Sequence, residues 1–370
     1  MDYRDSAEQA AFRASLREWL AEHAPRNYGE ATDEIRRDWH QKLYEAGYVG
    51  MSWPKEYGGR GLNPIYDAIF NEETGLADCP PVPGFVNYIG RTVFTYASEE
   101  QKQQYLPKLL SGEVQWCQGF SEPGAGSDLA ALRTKAELRD GVWVVNGQKM
   151  WTSGGEHADW CLLLARTDPD APKHKGISCF LMDMRSTGVT VRPIVLSDGE
   201  PETSEVFLDN VEIPAAQLLG DQGAGWRIAM TAVSYERGPA DVGMISWFRK
   251  ELAATEQEAR ERGVDEETRR RLAWAYVTGE AMRLNVAQQL SHRVAGRPVG
   301  VEGSVAKVLW SQAWQNLTHL ELDIAGADTL TGRQPAWLAN YFRSRPASVY
   351  GGSSQIQRNL IAWHLLGLPR

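Results

Sequence analysis

Apolar residues near the start of the chain recur at helical spacing. Phe12, Leu16, Trp19 and Leu20 fall at i, i+4, i+7 and i+8. Ser6 stands just ahead of them with Gln9 three residues on, the spacing of a capping box. Ser98 and Gln101 repeat that spacing at the head of a segment whose Leu106, Leu109 and Leu110 point to a core. The pattern predicts helices to about residue 115, broken by loops at 52–61 and 79–84.

From about 116 to 225 the period changes. Short runs rich in β-branched and aromatic residues alternate with Gly, Pro, Asn and Asp, as in 142–145, 159–165, 177–182, 189–196 and 206–213. Several short strands at this spacing predict a small barrel or sandwich, and Asn146-Gly147 predicts a tight turn between extended segments. Beyond 226 the helical period returns. Residues 269–292 and 302–325 are apolar-striped and long enough for bundle helices, and 255–271 is a charged, exposed stretch around Gly263. The layout predicts an α+β fold with a helical domain at 1–115, a β-domain at 116–225 and a helical bundle at 226–370.

At 370 residues and 42% hydrophobic, with 14 Trp, the chain can bury more than one simple core. Its net charge of −9 and lack of any basic run weigh against a nucleic-acid groove. An anionic substrate would have to be met by local arginines rather than by the global field. Cys79, Cys117, Cys161 and Cys179 show no metal or redox spacing and sit among apolar neighbours, so we expect small buried hydrophobes, with no metal site. No apolar run approaches the length of a membrane span, and Asp2, Arg4, Asp5 and Glu8 spoil a signal peptide, so a soluble cytoplasmic protein is expected.

Two segments carry candidate chemistry. Residues 117–128 set Gly119, Gly124 and Gly126 among Ser121, Ser127 and Asp128, where backbone N–H groups can approach a flat ring or a phosphate. An ordinary Gly/Pro turn has the same composition. Residues 149–155 place Trp151 beside Thr152, Ser153 and two glycines, fit either to stack on a ring or to close a strand as a core tryptophan.

Taken in order, the chain reads SEPGAGSD (121–128), KMWTSGG (149–155), GISCFLMDM (176–184), EIPAAQLLGDQGAGW (212–226), YERG (235–238) and YGGSSQIQRNLIAWHLLG (350–367). That series resembles the acyl-CoA dehydrogenase family across essentially the whole chain. The resemblance implies the family's fold, ending in a four-helix bundle, and FAD as cofactor. The implied reaction desaturates an acyl thioester, with α-proton abstraction and β-hydride transfer to flavin N5. It assigns Phe120 and Ser121 to the isoalloxazine, Gly126 and Ser127 to the pyrophosphate loop, Trp151 to ring stacking and Ser153 to the region of N5. Ser353 and Gln355 match cofactor-contacting positions near the C-terminus.

The chemistry needs a base, and a carboxylate whose pKa is raised by burial suits it. Many relatives place that glutamate directly after the tyrosine of the C-terminal segment, where this chain has Gly351. Isovaleryl- and long-chain-type relatives instead place it before an arginine, and Glu236-Arg237 stands at the matching place. The resemblance therefore points to Glu236 as base, with the Gly351 N–H as donor to the thioester carbonyl. A structural Glu–Arg pair would leave the same residues.

A second departure concerns the half of the flavin site that family members lend to a neighbour. Residues 259–267 lack the expected Phe-Gly, and Asp323 falls near an expected glutamine, where a carboxylate would repel a pyrophosphate. Either a homologous subunit completes the site, as in bacterial α2β2 heterotetramers that degrade steroid side chains, or a homo-oligomer uses other contacts. Acyl-CoA or a carrier-bound acyl group is the implied substrate and electron-transfer flavoprotein the implied acceptor. A flavin oxidase or monooxygenase on the same fold, and a non-catalytic partner subunit, remain alternatives.

Overall fold

The computed structural model describes residues 4–25, 32–77, 79–235, 239–295, 297 and 301–369. In chain order the helices are α1 (Ala7–His23), α2 (Asp33–Glu45), α3 (Ile65–Ala77), α4 (Gly84–Tyr96) and α5 (Glu99–Ser111). The strands follow as β1 (Trp116–Gly119), β2 (Lys135–Arg139), β3 (Val142–Ser153), β4 (Trp160–Arg166), β5 (Ile177–Asp183), β6 (Val189–Ile194), β7 (Thr203–Pro214) and β8 (Leu218–Leu219). Then come α6 (Gly225–Tyr235), α7 (Pro239–Arg262), α8 (Glu266–Val294), α9 (Glu302–Ala325), α10 (Pro335–Ser344) and α11 (Ser354–Leu360). The α+β class expected from the sequence is observed. Both capping boxes form, at Ser6/Gln9 and Ser98/Gln101.

The chain divides into two compact units. The sheet unit comprises His40–Gly61 and Val82–Glu236, and the helical unit Met1–Trp39, Leu62–Pro81 and Arg237–Arg370. In the sheet unit the strands run β6-β7-β3-β2-β4-β5-β8, with β1 paired in parallel to β4. Trp143, Phe180, Leu163 and Val211 pack into its core. Cys117, Cys161 and Cys179 are fully buried here as free thiols, as their apolar neighbours predict.

The predicted turn at Asn146-Gly147 is not a turn. Those residues lie inside β3, which pairs with β7 along its length and slips register between Val145 and Gly147. The hairpin between β2 and β3 turns instead at Asp140-Gly141, both at positive φ, the two-residue turn that matches strand twist. Gly147 serves close approach: a Cβ there would lie 2.4 Å from Thr134 Oγ1.

In the helical unit, α3 and α7 meet at a pair of glycines. A Cβ on Gly75 would lie 2.5 Å from the Gly243 carbonyl oxygen, so the two backbones touch. Glu73 of α3 is buried and receives Arg13 and Arg17 of α1, at 2.6 Å each. Phe248, Met282, Trp310 and Leu317 form the core of α7, α8 and α9. The two long helices expected at 269–292 and 302–325 are α8 and α9. No helix among the described residues is long and apolar enough to cross a membrane.

Candidate functional site

In the sheet unit, β1 ends at Gly119 and the chain passes through buried Phe120 into a tight turn. Glu122 and Ala125 exchange both backbone hydrogen bonds at 3.0 Å, which throws Pro123-Gly124 out as the tip. The turn is anchored from below by a side chain. The Glu122 carboxylate accepts the N–H of Arg133 at 2.6 Å, the N–H of Thr134 at 2.9 Å and the ammonium of Lys149 at 2.8 Å. Beyond it, Gly126 and Ser127 are exposed, and a Cβ built on Gly124 or Gly126 meets no atom within 4 Å. This stretch of backbone is open to a ligand.

The second segment is the end of β3. Its ladder with β7 slips again between Lys149 and Thr152, and Trp151 sits in that bulge at φ +62°. A bulky residue in this conformation is strained, by about 1–3 kcal/mol, and such outliers cluster at ligand sites. The bulge aims Trp151 outward with 54% of its surface exposed. Alternation then buries Thr152 and exposes Ser153, so an aromatic face and a hydroxyl share one side of the strand. The N–H of Met150 donates to the Ser121 carbonyl at 2.9 Å, which sets this strand beside the first turn. Phe120, Ser121, Trp151 and Ser153 are therefore brought together.

Lys149 is wholly buried, and with Glu122 it forms an ion pair withdrawn from water. Burial pushes the Glu122 carboxyl up. Attraction to Lys149 and the hydrogen bonds it receives outweigh that, and hold it below the usual carboxylate range. Burial likewise pulls the Lys149 ammonium down, against the stabilising charge of Glu122. Sequence reasoning gave neither residue a role. Flanked by Gln148 and Met150, Lys149 reads in sequence as an exposed strand residue, so no local signal marks the pair.

The C-terminal candidates lie in the helical unit. Gly351 and Gly352 adopt φ +60° and +88°, a run that side chains resist. Ser353 is the N-cap of α11, its hydroxyl accepting the N–H of Ile356 at 3.4 Å. Gln355 is exposed, whereas buried Gln357 turns back and donates to the carbonyls of Gly351 at 3.2 Å and Gly352 at 3.4 Å. Gln357 shapes this loop, and sequence reasoning did not single it out. Glu236 and Arg237 lie outside the described residues.

The expected charge at Asp323 is met locally. Arg271 of α8 pairs with it at 2.6 Å. Gly263, at φ +71°, separates α7 from α8, and Asp265 caps α8 by accepting the N–H of Thr268 at 2.8 Å.

In the sheet unit, an outward aromatic face, the hydroxyls of Ser121, Ser127 and Ser153, and open glycine backbone stand along two adjoining segments. This donor set fits a ligand with a flat ring and a phosphate chain, as FAD has.

The chain is similar to known proteins over nearly its whole length. Family models for the acyl-CoA dehydrogenase N-terminal, middle and C-terminal domains match residues 6–113, 117–211 and 223–366. Acyl-CoA dehydrogenase IpdE1 of Mycobacterium tuberculosis is 37% identical, over 97% of each chain. Among solved structures, a chain of the Tcur3481-Tcur3483 steroid ACAD is 30% identical, with TM-score 0.87 and full coverage of both chains. A chain of the ChsE4-ChsE5 complex from Mycobacterium tuberculosis is 29% identical, with TM-score 0.86 and full coverage of both.

Proposed function

The chain belongs to the acyl-CoA dehydrogenase family, and from that membership we propose that it desaturates a bulky acyl-CoA between its α and β carbons, with Glu236 as the base. It is an oxidoreductase of the acyl-CoA dehydrogenase type. The cofactor in this reading is FAD, which when bound supplies the acceptor for the two electrons leaving the substrate. Phe120, Ser121, Gly126, Ser127, Trp151 and Ser153 of the sheet unit hold it in this reading.

The observation that carries the base assignment is Gly351. It has no side chain, and its φ of +60° resists any side chain, so the family's commoner position for the glutamate is closed. The base is then a carboxylate from elsewhere in the chain, and in sequence Glu236-Arg237 matches the family's alternative arrangement. In this reading Glu236 removes the α proton.

The substrate carries a large, ring-bearing acyl group in this reading, supported by the likeness to a steroid acyl-CoA dehydrogenase. Two similar structures are complexes of two differently named chains, which supports a homologous partner subunit for this chain as well. Electron-transfer flavoprotein is the proposed acceptor.

The test is anaerobic titration of the FAD-loaded protein with a panel of acyl-CoAs, following loss of the flavin's visible absorbance. Wild type is expected to bleach fastest with bulky acyl groups. Glu236→Gln should retain FAD while its bleaching slows by roughly 10²–10⁴-fold. Bleaching of that variant at the wild-type rate would remove Glu236 from the mechanism. Full FAD occupancy in a homodimer of this chain alone would remove the partner subunit.

A further inference from the structure

We infer that the buried Lys149–Glu122 pair is a positioning device, which holds Phe120-Ser121 and Trp151-Ser153 in one fixed relation and so sets how the ring system is gripped. The inference rests on the reading that these two segments hold FAD.

Glu122 directly follows Ser121, and Lys149 precedes Trp151 by two positions, so each charge sits behind a ligand-facing residue rather than at a remote point of the sheet. Among the described ion pairs of the sheet unit, no other has both side chains less than a tenth exposed.

Lys149 Nζ also donates to the Phe120 carbonyl at 3.2 Å. A trans peptide points its C=O and its following N–H in opposite senses. With the Phe120 oxygen held inward by the ammonium, the Ser121 N–H is turned outward. The lysine stem reaches this point over Gly119, where a Cβ would stand 3.6 Å from Lys149 Cγ and only 2.8 Å from Cys161 Sγ. Glu122, for its part, gathers donors from Arg133-Thr134 and from Lys149, two segments that would otherwise be freer to shift against one another.

Two matched apolar side chains would serve a core as well as an ion pair or better. What the ions provide, and apolar packing does not, is a set of directed bonds to the main chain at Phe120, Arg133 and Thr134. The pair thus fixes geometry where the strained Trp151 needs it.

The experiment uses full-length holoprotein and the double variant Glu122→Leu/Lys149→Met, which removes both charges and leaves neither orphaned. Lys149→Arg, which keeps the pair, is the rescue control, and Trp151→Ala tests the site itself. Readouts are the thermal midpoint of the apoprotein, FAD affinity by fluorescence titration and the visible circular dichroism of bound flavin. We expect the double variant to fold but melt below wild type, because the Arg133 and Thr134 N–H groups and the Phe120 carbonyl lose their partners. It should bind FAD at least tenfold more weakly and show an altered flavin dichroism, with Lys149→Arg closer to wild type in both. A double variant that folds and matches wild type in both affinity and dichroism overturns the positioning role. If instead folded wild type binds no FAD, or Trp151→Ala leaves its affinity unchanged, the reading of the site itself fails. Should the double variant not fold, Glu122→Gln carries the same readouts: weakened FAD and changed dichroism support the role, and wild-type values overturn it.

Discussion

The backbone N–H of Met150 donates to the carbonyl of Ser121 at 2.9 Å, so the two segments that hold the candidate cofactor contacts are joined by main-chain atoms. Side-chain replacement cannot remove that bond. Substitutions at Ser121 or Ser153 therefore act through the side chain, with the two segments still tied together.

Trp151 gives the sharpest separation of stability from binding. Its φ of +62° suits glycine, and its ring is half exposed. Trp151→Gly should leave the apoprotein as stable as wild type or up to about 1 kcal/mol more stable. FAD affinity should fall by the worth of an aromatic stack, about 1–3 kcal/mol. Thermal melts of apoprotein and a fluorescence titration measure the two effects independently. A variant that binds FAD as tightly as wild type contradicts the stacking role.

Removing one member of the buried pair orphans the other. Lys149→Ala should cost about 3–5 kcal/mol in urea unfolding, and Glu122→Leu/Lys149→Met should recover the part due to the orphaned charge but not the part due to the lost main-chain bonds. A cost below about 1 kcal/mol for Lys149→Ala would mean that water reaches Glu122.

Glycines divide into two sets by what surrounds them. Gly75→Ala forces α3 and α7 apart at the Gly243 carbonyl and should cost about 1–3 kcal/mol. Gly126→Ala meets open space and should leave stability unchanged, while weakening a ligand that needs the bare backbone. Denaturant midpoints of the two variants test the contrast.

Glu321 of α9 makes stability depend on pH. Burial, and then the nearby Glu251 carboxylate, raise its carboxyl to about 8, with Thr255 Oγ1 3.3 Å away. The folded state keeps the proton over a range in which the unfolded chain has released it. Its stabilising contribution is thus whole below the ordinary glutamate range and is lost as pH rises towards 8, by at most about 1.4 kcal/mol per unit. Glu321→Gln should flatten the fall of melting temperature between roughly pH 5 and 8. Buried His40 acts in the opposite sense. Burial lowers it to about 4, so stability falls as pH drops below the ordinary histidine value.

Local chemistry was legible in the sequence, and long-range register was not. Ser6/Gln9 and Ser98/Gln101 announce their helices because a capping box is closed within four residues. The stripes of α8 and α9 are long enough to override their neighbours. Asn146-Gly147 and Asp140-Gly141 look alike as turn signals, and only the pairing of β3 with β7 decides that the first stays extended while the second turns. The same pairing hides Lys149. Beside Met150 it reads as an exposed strand residue, and the ladder that buries it is formed by residues more than fifty positions on, from Thr203 to Pro214. Ser121 and Trp151 were found because their types and order resemble a family; the ion pair behind them required coordinates.

The glycine crossing of α3 with α7 also imposes an order in time. The α1 and α3 helices leave the ribosome early, whereas α7 begins at Pro239 and follows only after all of β1 to β8. At ordinary rates of synthesis the wait is roughly ten to thirty seconds. Through that interval the face of α3 that will meet Gly243 has no partner, while the sheet can already close. A product cut short after the sheet would therefore carry an uncovered α1–α3 pair, which makes it a substrate for chaperones or proteases rather than a stable smaller protein.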